Sequence, residues 1–226
     1  MEALLLSVKL AIWVSAILFV IGLPLAYWLA YSRWRWKFLL EAVVALPLVL
    51  PPTVLGFYML LAMGPRGALG KLWYAAFGHG MAFTFAGLVI ASVLYSLPFA
   101  VQPLIASFET VDRKLLEASA VLGASRMRTF RCVILPLSVP GIVTALVLSF
   151  AHTLGEFGVV LMVGGNLAGV TRTVSIDIYD RVQSLDYASA NRTALLLLVI
   201  SFVVLSAVYG INRRTKLRQW LPWVAN

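Results

Sequence analysis

Glu117-Ala118-Ser119-Ala120-Val121-Leu122-Gly123, followed by Leu135-Pro136, is the stretch of this sequence that decides the fold. It is a polar, charged segment between two long apolar runs. In a chain that is otherwise built for lipid, we expect such a segment to be exposed only where something outside the membrane contacts it. The sequence therefore predicts membrane spans that are interrupted by a functional loop.

The composition is that of an integral membrane protein. Of the 226 residues 62% are hydrophobic and 12% are charged, whereas soluble domains contain about 25% charged residues. The length predicts one domain and leaves no room for a separate soluble enzyme domain. A net charge of +9 would favour nucleic-acid binding in a soluble protein, but cytoplasmic loops of membrane proteins carry a basic excess in any case. We therefore predict a lipid bilayer as surroundings and no nucleic-acid partner.

Five apolar runs are long enough to cross the bilayer, which needs about 20 helical residues. They do not alternate as the shorter strands of a β-barrel do, and helices satisfy their own backbone groups in lipid. The expected fold class is all-α, with a transmembrane domain over 1–212, a basic tail over 213–226, and spans at approximately 4–31, 39–63, 82–105, 133–155 and 193–211.

The basic residues predict the orientation. One set of loops holds twelve Lys and Arg residues and the other set holds six. The positive-inside rule then places the 32–38 turn, the 106–131 loop and the C-terminal tail in the cytoplasm. Because five spans put the termini on opposite sides, the N-terminus is expected outside the cell.

The 106–131 loop is predicted to contain two short helices. Residues 110–122 form one amphipathic helix, in which Thr110 caps the start and Asp112 suits the first turn. Gly123 permits the left-handed turn that ends a helix, and a basic helix over 125–131 leads back into the membrane. The expected apolar face of the first helix consists of Val111, Leu115, Ala118 and Leu122.

This loop resembles the EAA loop of ABC-importer permeases, through Glu117-Ala118, Gly123 and Leu135-Pro136 at their spacing. Ser119 stands where that family usually has a second alanine, and Val133 stands where it usually has isoleucine. The resemblance implies a type I ABC importer permease fold, and coupling helices that dock on a cytoplasmic ATPase. The alternative is a basic amphipathic helix that lies on the bilayer surface.

Two further stretches resemble the molybdate-importer permeases. They are Leu50-Pro-Pro-Thr-Val-Leu-Gly-Phe57, which runs on to Gly64-Pro-Arg-Gly-Ala-Leu-Gly70, and Ala151-His-Thr-Leu-Gly-Glu-Phe-Gly158. Sulfate permeases share the Gly-Glu-Phe-Gly element. The resemblance implies an importer of molybdate, or of tungstate, in a bacterial or archaeal inner membrane. It also implies a second copy of the chain, a dimer of cytoplasmic ATPases and an extracytoplasmic oxyanion-binding protein as partners.

Two alternatives stay open. One is a sulfate-type permease of the same class. The other is a secondary carrier or channel, although five spans give no sign of the inverted repeat that many carriers use.

Four residues are candidates for a path or gate. Pro51 and Pro52 interrupt an apolar run, which favours either a broken helix beside a translocation path or a kinked packing helix. Glu156, which follows Gly155, is an acid at the outer end of a span, and such an acid is a functional candidate. The alternatives for Glu156 are an interfacial position or a bond to neighbouring backbone, and a carboxylate is not expected to hold an anion directly.

The chain is not expected to be an enzyme or to hold a metal or cofactor of its own. The stretch Gly64–Lys71 lacks the glycine and the Ser/Thr that a phosphate-binding loop needs, so ATP and Mg²⁺ are expected on the partner ATPase. His79 and His152 have no clustered acids. Cys132 is expected to be a small buried hydrophobe, and residues 157–192 are expected outside, with Val174, Ile178, Val182 and Leu185 on one face of a short helix.

Overall fold

The computed structural model describes the backbone of residues 2–220 and the side chains of residues 2–206. The side chains of the predicted basic tail, residues 213–226, therefore lie outside the described residues. The long helices are α1 (Glu2–Tyr31), α5 (Phe85–Glu109), α9 (Val139–Gly155) and α12 (Tyr187–Trp220). The shorter helices are α2 (Lys37–Val49), α3 (Pro52–Met63), α4 (Ala68–Phe77), α6 (Arg113–Val121), α7 (Arg126–Thr129), α8 (Leu135–Leu137), α10 (Gly158–Gly164) and α11 (Val174–Gln183).

The described residues contain helices and no strand, which confirms the predicted all-α class. Among them, α1, α5 and the Tyr187–Ser206 part of α12 are each long and apolar enough to cross a membrane. The number reaches five if two bent helix pairs each count as one span. These pairs are α2 with α3, and the 126–137 segment with α9.

The predicted span 39–63 is two helices, α2 and α3, whose axes differ by 112°. Pro51 forces the preceding residue out of the helical region, and Leu50 and Pro51 both have extended backbone, with ψ of 136° and 135°. Pro52 then starts α3 at a position where a missing N–H costs nothing. The two prolines therefore interrupt this apolar run, as the sequence indicates, and the break lies at Leu50-Pro51.

The predicted span 133–155 also differs from the structure. Helical backbone begins earlier, at Arg126, and passes through a π-helical turn at Phe130–Ile134 before α8. The 126–137 segment meets α9 at an angle of 71°. The break lies at Ser138, where Pro140 in the first turn of α9 lacks the N–H that would continue the helical ladder.

The helices α1, α5 and α9 form the centre of the molecule. Without a hydrophobic driving force in lipid, spans associate through close packing, which small residues permit. The buried face of α1 accordingly includes Ser7 and Gly22, and that of α5 includes Ser92 and Ser96. The hydroxyl of Ser7 accepts a hydrogen bond from the backbone N–H of Val174, at 2.8 Å, and so connects α1 to α11.

The 157–192 segment contains more buried structure than the sequence predicted. Its first part is α10, whose Val159, Val160 and Val163 are buried and which packs against α3 and α5. In α11, Val174 is buried as expected, but the predicted apolar face is wrong further along the helix. Residues Val182 and Leu185 are exposed there, whereas Ile176 is buried.

Candidate functional sites

The first candidate site is the helix pair α6 and α7. The side chain of Asp112 accepts a hydrogen bond from the backbone N–H of Lys114, at 2.9 Å, and so caps α6. The predicted cap Thr110 is wrong, because its hydroxyl donates to the carbonyl of Ser107 at the end of α5. A carboxylate at this position also suits the positive end of the helix dipole.

A tight turn joins the two helices. Gly123 has a φ of +73°, a left-handed conformation that costs other L-residues about 1–2 kcal/mol. Ser125 caps α7 through a hydrogen bond from the N–H of Arg128. Across the turn, the hydroxyls of Ser119 and Thr129 lie 2.7 Å apart and join the two helices.

The apolar face of α6 is rotated from the predicted one. Val111 is buried as predicted, but Leu115 and Ala118 are exposed. Leu116 packs against the core instead, and Ser119 is buried. The predicted face member Leu122 is 85% exposed, and Val121 is 88% exposed. These exposed apolar residues are candidates for a contact with a partner or with the bilayer surface.

A groove of about 320 Å³ runs along this helix pair, and we call it the α6–α7 groove. It includes Cys132, which is exposed, so the predicted burial of that cysteine is wrong. Of the predicted coupling residues, Ala118 and Ser119 line the groove. Glu117, Gly123, Leu135 and Pro136 are not part of its lining, and Glu117 and Pro136 are exposed beside it. The lining residues are Leu115, Ala118, Ser119, Leu122, Ala124, Arg128, Cys132 and Val133.

The second candidate site is a cavity of about 590 Å³ between α3, α5, α9 and α10, which we call the α3–α9 cavity. It unites three of the four predicted path residues, Pro52, Gly155 and Glu156. Pro51, the fourth, is exposed and is not part of the lining. The lining residues are Pro52, Thr53, Tyr95, Ala151, His152, Gly155, Glu156, Phe157, Gly158, Leu161 and Met162.

Two glycines set the width of the cavity wall. A Cβ at Gly158 would lie 2.6 Å from the Cβ of Pro52, and a Cβ at Gly56 would lie 2.8 Å from the Cβ of Met162. Both distances are shorter than a van der Waals contact between carbons. The proline-led helix α3 therefore contacts the segment after Glu156 only because glycine occupies these two positions.

Glu156 is buried, with 4% of its surface exposed. Both carboxylate oxygens lack a hydrogen-bond partner among the described residues, although the buried hydroxyl of Ser92 lies in the vicinity. The structure therefore contradicts the bond between this carboxyl and neighbouring backbone. An unpaired charge buried in this way is costly, which favours a neutral carboxyl in this conformation.

His152 also lines this cavity, although the sequence did not predict it as a path residue. Its ring stacks on Phe99, with 3.8 Å between centroids, and lies 4.8 Å from Tyr95. Its Nδ1 lies 2.9 Å from the hydroxyl of Ser96. The spacing of four residues from Glu156 places both groups on one side of α9, and this signal could have been read from the sequence.

Comparison with known proteins identifies the family. The family model described as "Binding-protein-dependent transport system inner membrane component" matches residues 22–217. The chain is 50% identical over 213 residues to the molybdenum transport system permease protein ModB of Azotobacter vinelandii, with 94% of each chain covered. It is 33% identical over 195 residues to the sulfate transport system permease protein CysT of Escherichia coli (strain K12), which covers 86% of this chain and 70% of that one.

The fold has counterparts among solved structures. The crystal structure of a bacterial ABC transporter involved in the import of the acidic polysaccharide alginate superposes with a TM-score of 0.77 at 17% identity, covering 94% of this chain and 78% of that chain. At this identity the likeness shows the fold alone. The chain therefore belongs to the family of inner membrane components of binding-protein-dependent transport systems, and its fold is that of an ABC importer permease.

Proposed function

We propose that this chain is the permease subunit of an ATP-driven importer of molybdate, or of tungstate. The observation that carries the proposal is the 50% identity to a molybdenum transport permease over 94% of both chains. The sulfate permease CysT is a more distant relative, at 33%. Two copies of the chain lie in the inner membrane and enclose one translocation path. An extracytoplasmic oxyanion-binding protein delivers the anion to this path.

The charge of the substrate requires an energy source. Inward movement of a dianion against a membrane potential of 100 mV costs about 5 kcal/mol, at about 2.3 kcal/mol per charge. Passive flow would therefore run outward. The ATP and Mg²⁺ are bound by a partner ATPase, to which the exposed helix pair α6 and α7 docks.

Docking on α6 and α7 is supported by their surface. Val121 and Leu122 are almost fully exposed, and a partner that buries them gains the apolar contact that water does not provide. ATP binding draws two ATPases together, and the docked helices follow. The bends at 112° and 71° provide flexible points at which the attached spans tilt between inward-open and outward-open states.

A comparison of two anions tests the substrate. Cells that lack other carriers, and that express this chain with its ATPase and binding protein, are expected to take up labelled molybdate in preference to labelled sulfate. Sulfate uptake without molybdate uptake would identify the chain as a sulfate-type permease instead. Transport by the chain alone in vesicles, without ATP, would indicate a secondary carrier or channel.

The single cysteine tests the orientation and the docking together. Cys132 is exposed in the α6–α7 groove, and the positive-inside rule places this groove in the cytoplasm. A membrane-impermeant maleimide is therefore expected to label Cys132 in inside-out vesicles and not in intact cells. Bound ATPase is expected to slow the labelling, and Cys132→Ser is the background control. Labelling from outside intact cells would invert the orientation and remove the proposed coupling role.

Two substitutions test the coupling residues. Glu117→Lys reverses an exposed charge on α6, and Gly123→Pro removes the left-handed turn that positions α7. Both variants are expected to insert in the membrane and to recover less ATPase in a pull-down than the unaltered chain does. Unchanged recovery with both variants would contradict the docking of α6.

A further inference from the structure

The α3–α9 cavity contains a histidine for which the proposed coupling mechanism has no use. Ionisable side chains at membrane depth face a protein interior or a water-filled cavity rather than lipid. His152 contributes to the cavity wall, and Tyr95 and Glu156 are the other titratable residues of the lining. Helices α3 and α10 contribute no titratable side chain to it.

A directional chain of hydrogen bonds determines which nitrogen of His152 carries the proton. The hydroxyl of Thr153 donates to the carbonyl of Ser149, at 2.8 Å. A hydroxyl has one proton, so Thr153 accepts from Ser96, 3.0 Å away. Ser96 has thereby used its own proton, and it accepts from Nδ1 of His152, at 2.9 Å.

The other ring nitrogen, Nε2, is free to bind a ligand in the cavity. It has no hydrogen-bond partner in the described part of the chain and is not among the buried unpaired atoms. With Nδ1 protonated, Nε2 carries a lone pair when the ring is neutral and an N–H when the ring is an imidazolium. One added proton therefore converts this wall from a hydrogen-bond acceptor into a cationic donor, and the chain to Ser96 stays intact.

The acid next to this histidine does not oppose an anion. Glu156 belongs to the lining, but both its carboxyl oxygens are buried without a hydrogen-bond partner in the described part of the chain. Burial of this kind favours the neutral carboxyl, which does not repel an anion. An anion in the cavity would instead meet Nε2 of His152 and the side chains of Thr53 and Tyr95. The volume of about 590 Å³ lies within the usual range of about 300–1,000 Å³ for ligand sites.

We propose that the α3–α9 cavity is an oxyanion subsite of the path, in which His152 becomes an imidazolium and donates from Nε2 to a tetrahedral dianion such as molybdate. The dianion supplies the counter-charge that a partly buried imidazolium needs, and Ser96 fixes the direction of the ring. The inference rests on the proposed function, because it presumes that the anion passes through this chain. His152 touches the substrate in this account, and Ser96 is a positioning residue.

Substitutions at the two histidines of the chain test the proposal. The complete complex, with ATPase and binding protein, is reconstituted in vesicles, and molybdate transported per ATP hydrolysed is measured at saturating molybdate. His152→Asn keeps an amide donor for Ser96 but has no group at the position of Nε2. Both His152→Asn and His152→Ala are expected to lower the amount of molybdate transported per ATP at least tenfold. His79→Ala, at an exposed position outside the cavity, is the matched control and is expected to change it less than twofold.

The pH dependence separates binding from a structural role. Because an imidazolium is required, the ratio for the unaltered complex is expected to fall as pH rises and His152 loses its added proton. Because transport is expressed per ATP hydrolysed, the pH dependence of the ATPase itself cancels. The residual transport per ATP of His152→Asn is expected not to change with pH. Normal transport by His152→Asn, or a profile that this variant shares with the unaltered complex, would overturn the subsite.

A spectroscopic measurement does not depend on how the His152 variants fold. In the full-length chain with His79→Ala, ¹⁵N labelling leaves one histidine. The expected ring is protonated at Nδ1 alone without molybdate and at both nitrogens with saturating molybdate. A proton on Nε2 in the absence of molybdate, or no response to molybdate, would overturn the proposal. If the unaltered complex moves no molybdate, the proposed function itself fails, whereas normal transport with indifferent variants rejects only the subsite.

Discussion

The two candidate sites differ in how they are held together. The wall of the α3–α9 cavity is fixed by the close approach of Gly56 to the Cβ of Met162 and of Gly158 to the Cβ of Pro52, and leaves no room for a methyl group at either glycine. The helix pair α6 and α7 is held by end caps and by one hydroxyl contact, between Ser119 and Thr129. Its residues Val121 and Leu122 are left exposed.

This difference teaches which part depends on a partner. A wall built on glycine contacts has its geometry within the single chain, because packed interiors resist small changes in volume. On the helix pair, by contrast, Val121 and Leu122 are exposed, and under the proposed function the ATPase covers them. We therefore expect substitutions in the cavity wall to change stability, and substitutions on the helix pair to change assembly.

The largest effect is expected from Gly158→Ala. The new Cβ would lie 2.6 Å from the Cβ of Pro52, and relief of such overpacking costs about 1–3 kcal/mol. We expect a lower thermal unfolding temperature of the purified complex and lower molybdate uptake. Gly80→Ala is the control, because no atom lies within 4 Å of its Cβ. An unchanged unfolding temperature for Gly158→Ala would show that the wall is not rigid.

The next effect is expected from the double variant Val121→Ala, Leu122→Ala. Both side chains are exposed, so the isolated permease should unfold at the same temperature as before. Its affinity for the ATPase is expected to fall about tenfold or more, which corresponds to about 1.4 kcal/mol, in a binding titration. Leu185→Ala, at an exposed position beyond α11, is the control. A lower unfolding temperature with unchanged affinity for the ATPase would show that these residues stabilise the permease itself and do not form a docking surface.

A smaller effect is expected from Asp112→Ala. Loss of the cap of α6 costs about 1 kcal/mol, and we expect faster hydrogen exchange in the first turn of α6 than in the unaltered chain. Thr110→Ala is the matched control, because the hydroxyl of Thr110 donates to Ser107 and caps nothing in α6. Equal exchange in both variants would contradict the assignment of the cap to Asp112.

The smallest effect is expected from acid at the start of α12. Ser189, through its hydroxyl and its backbone N–H, lowers the pKa of the exposed carboxyl of Asp186. A lowered pKa in the folded state stabilises the protein above the ordinary aspartate pKa of about 3.9, and this contribution is lost as pH falls through the lower folded value. Hydrogen-exchange protection factors in the first turn of α12 are expected to fall as pH decreases through this range. In Asp186→Asn, the protection factors should not depend on pH in this way. A fall that persists in Asp186→Asn would exclude this carboxyl as the cause.

Local sequence signals determined several features of this chain. The length of the apolar runs predicted the spans, because a helix needs about 20 residues to cross lipid. The pair Pro51-Pro52 predicted the break between α2 and α3, and Gly123 predicted the left-handed turn after α6. Each of these outcomes depends on residues that are neighbours along the chain.

Other sequence expectations failed where two neighbouring residues were equally suitable for one role, or where packing against distant helices determined which residues are buried. Thr110 and Asp112 are both good cap residues, and only the end of α5 determined which one caps α6. The apolar run of α10 is too short to span, and its contact with α3 decided its burial. Cys132 lies in the π-helical turn and lines the α6–α7 groove, a position that its apolar neighbours in sequence did not reveal.

The shared cavity of Pro52, His152 and Glu156 became visible only in the folded chain. Pro52 is about a hundred residues away from the other two, and no local preference connects positions so far apart. Helix packing brought them together, through the close approach that Gly158 permits. The sequence alone determined the spans, their break and their basic loops, because these follow from solvent and backbone geometry, whereas the cavity followed from which helix faces fit one another.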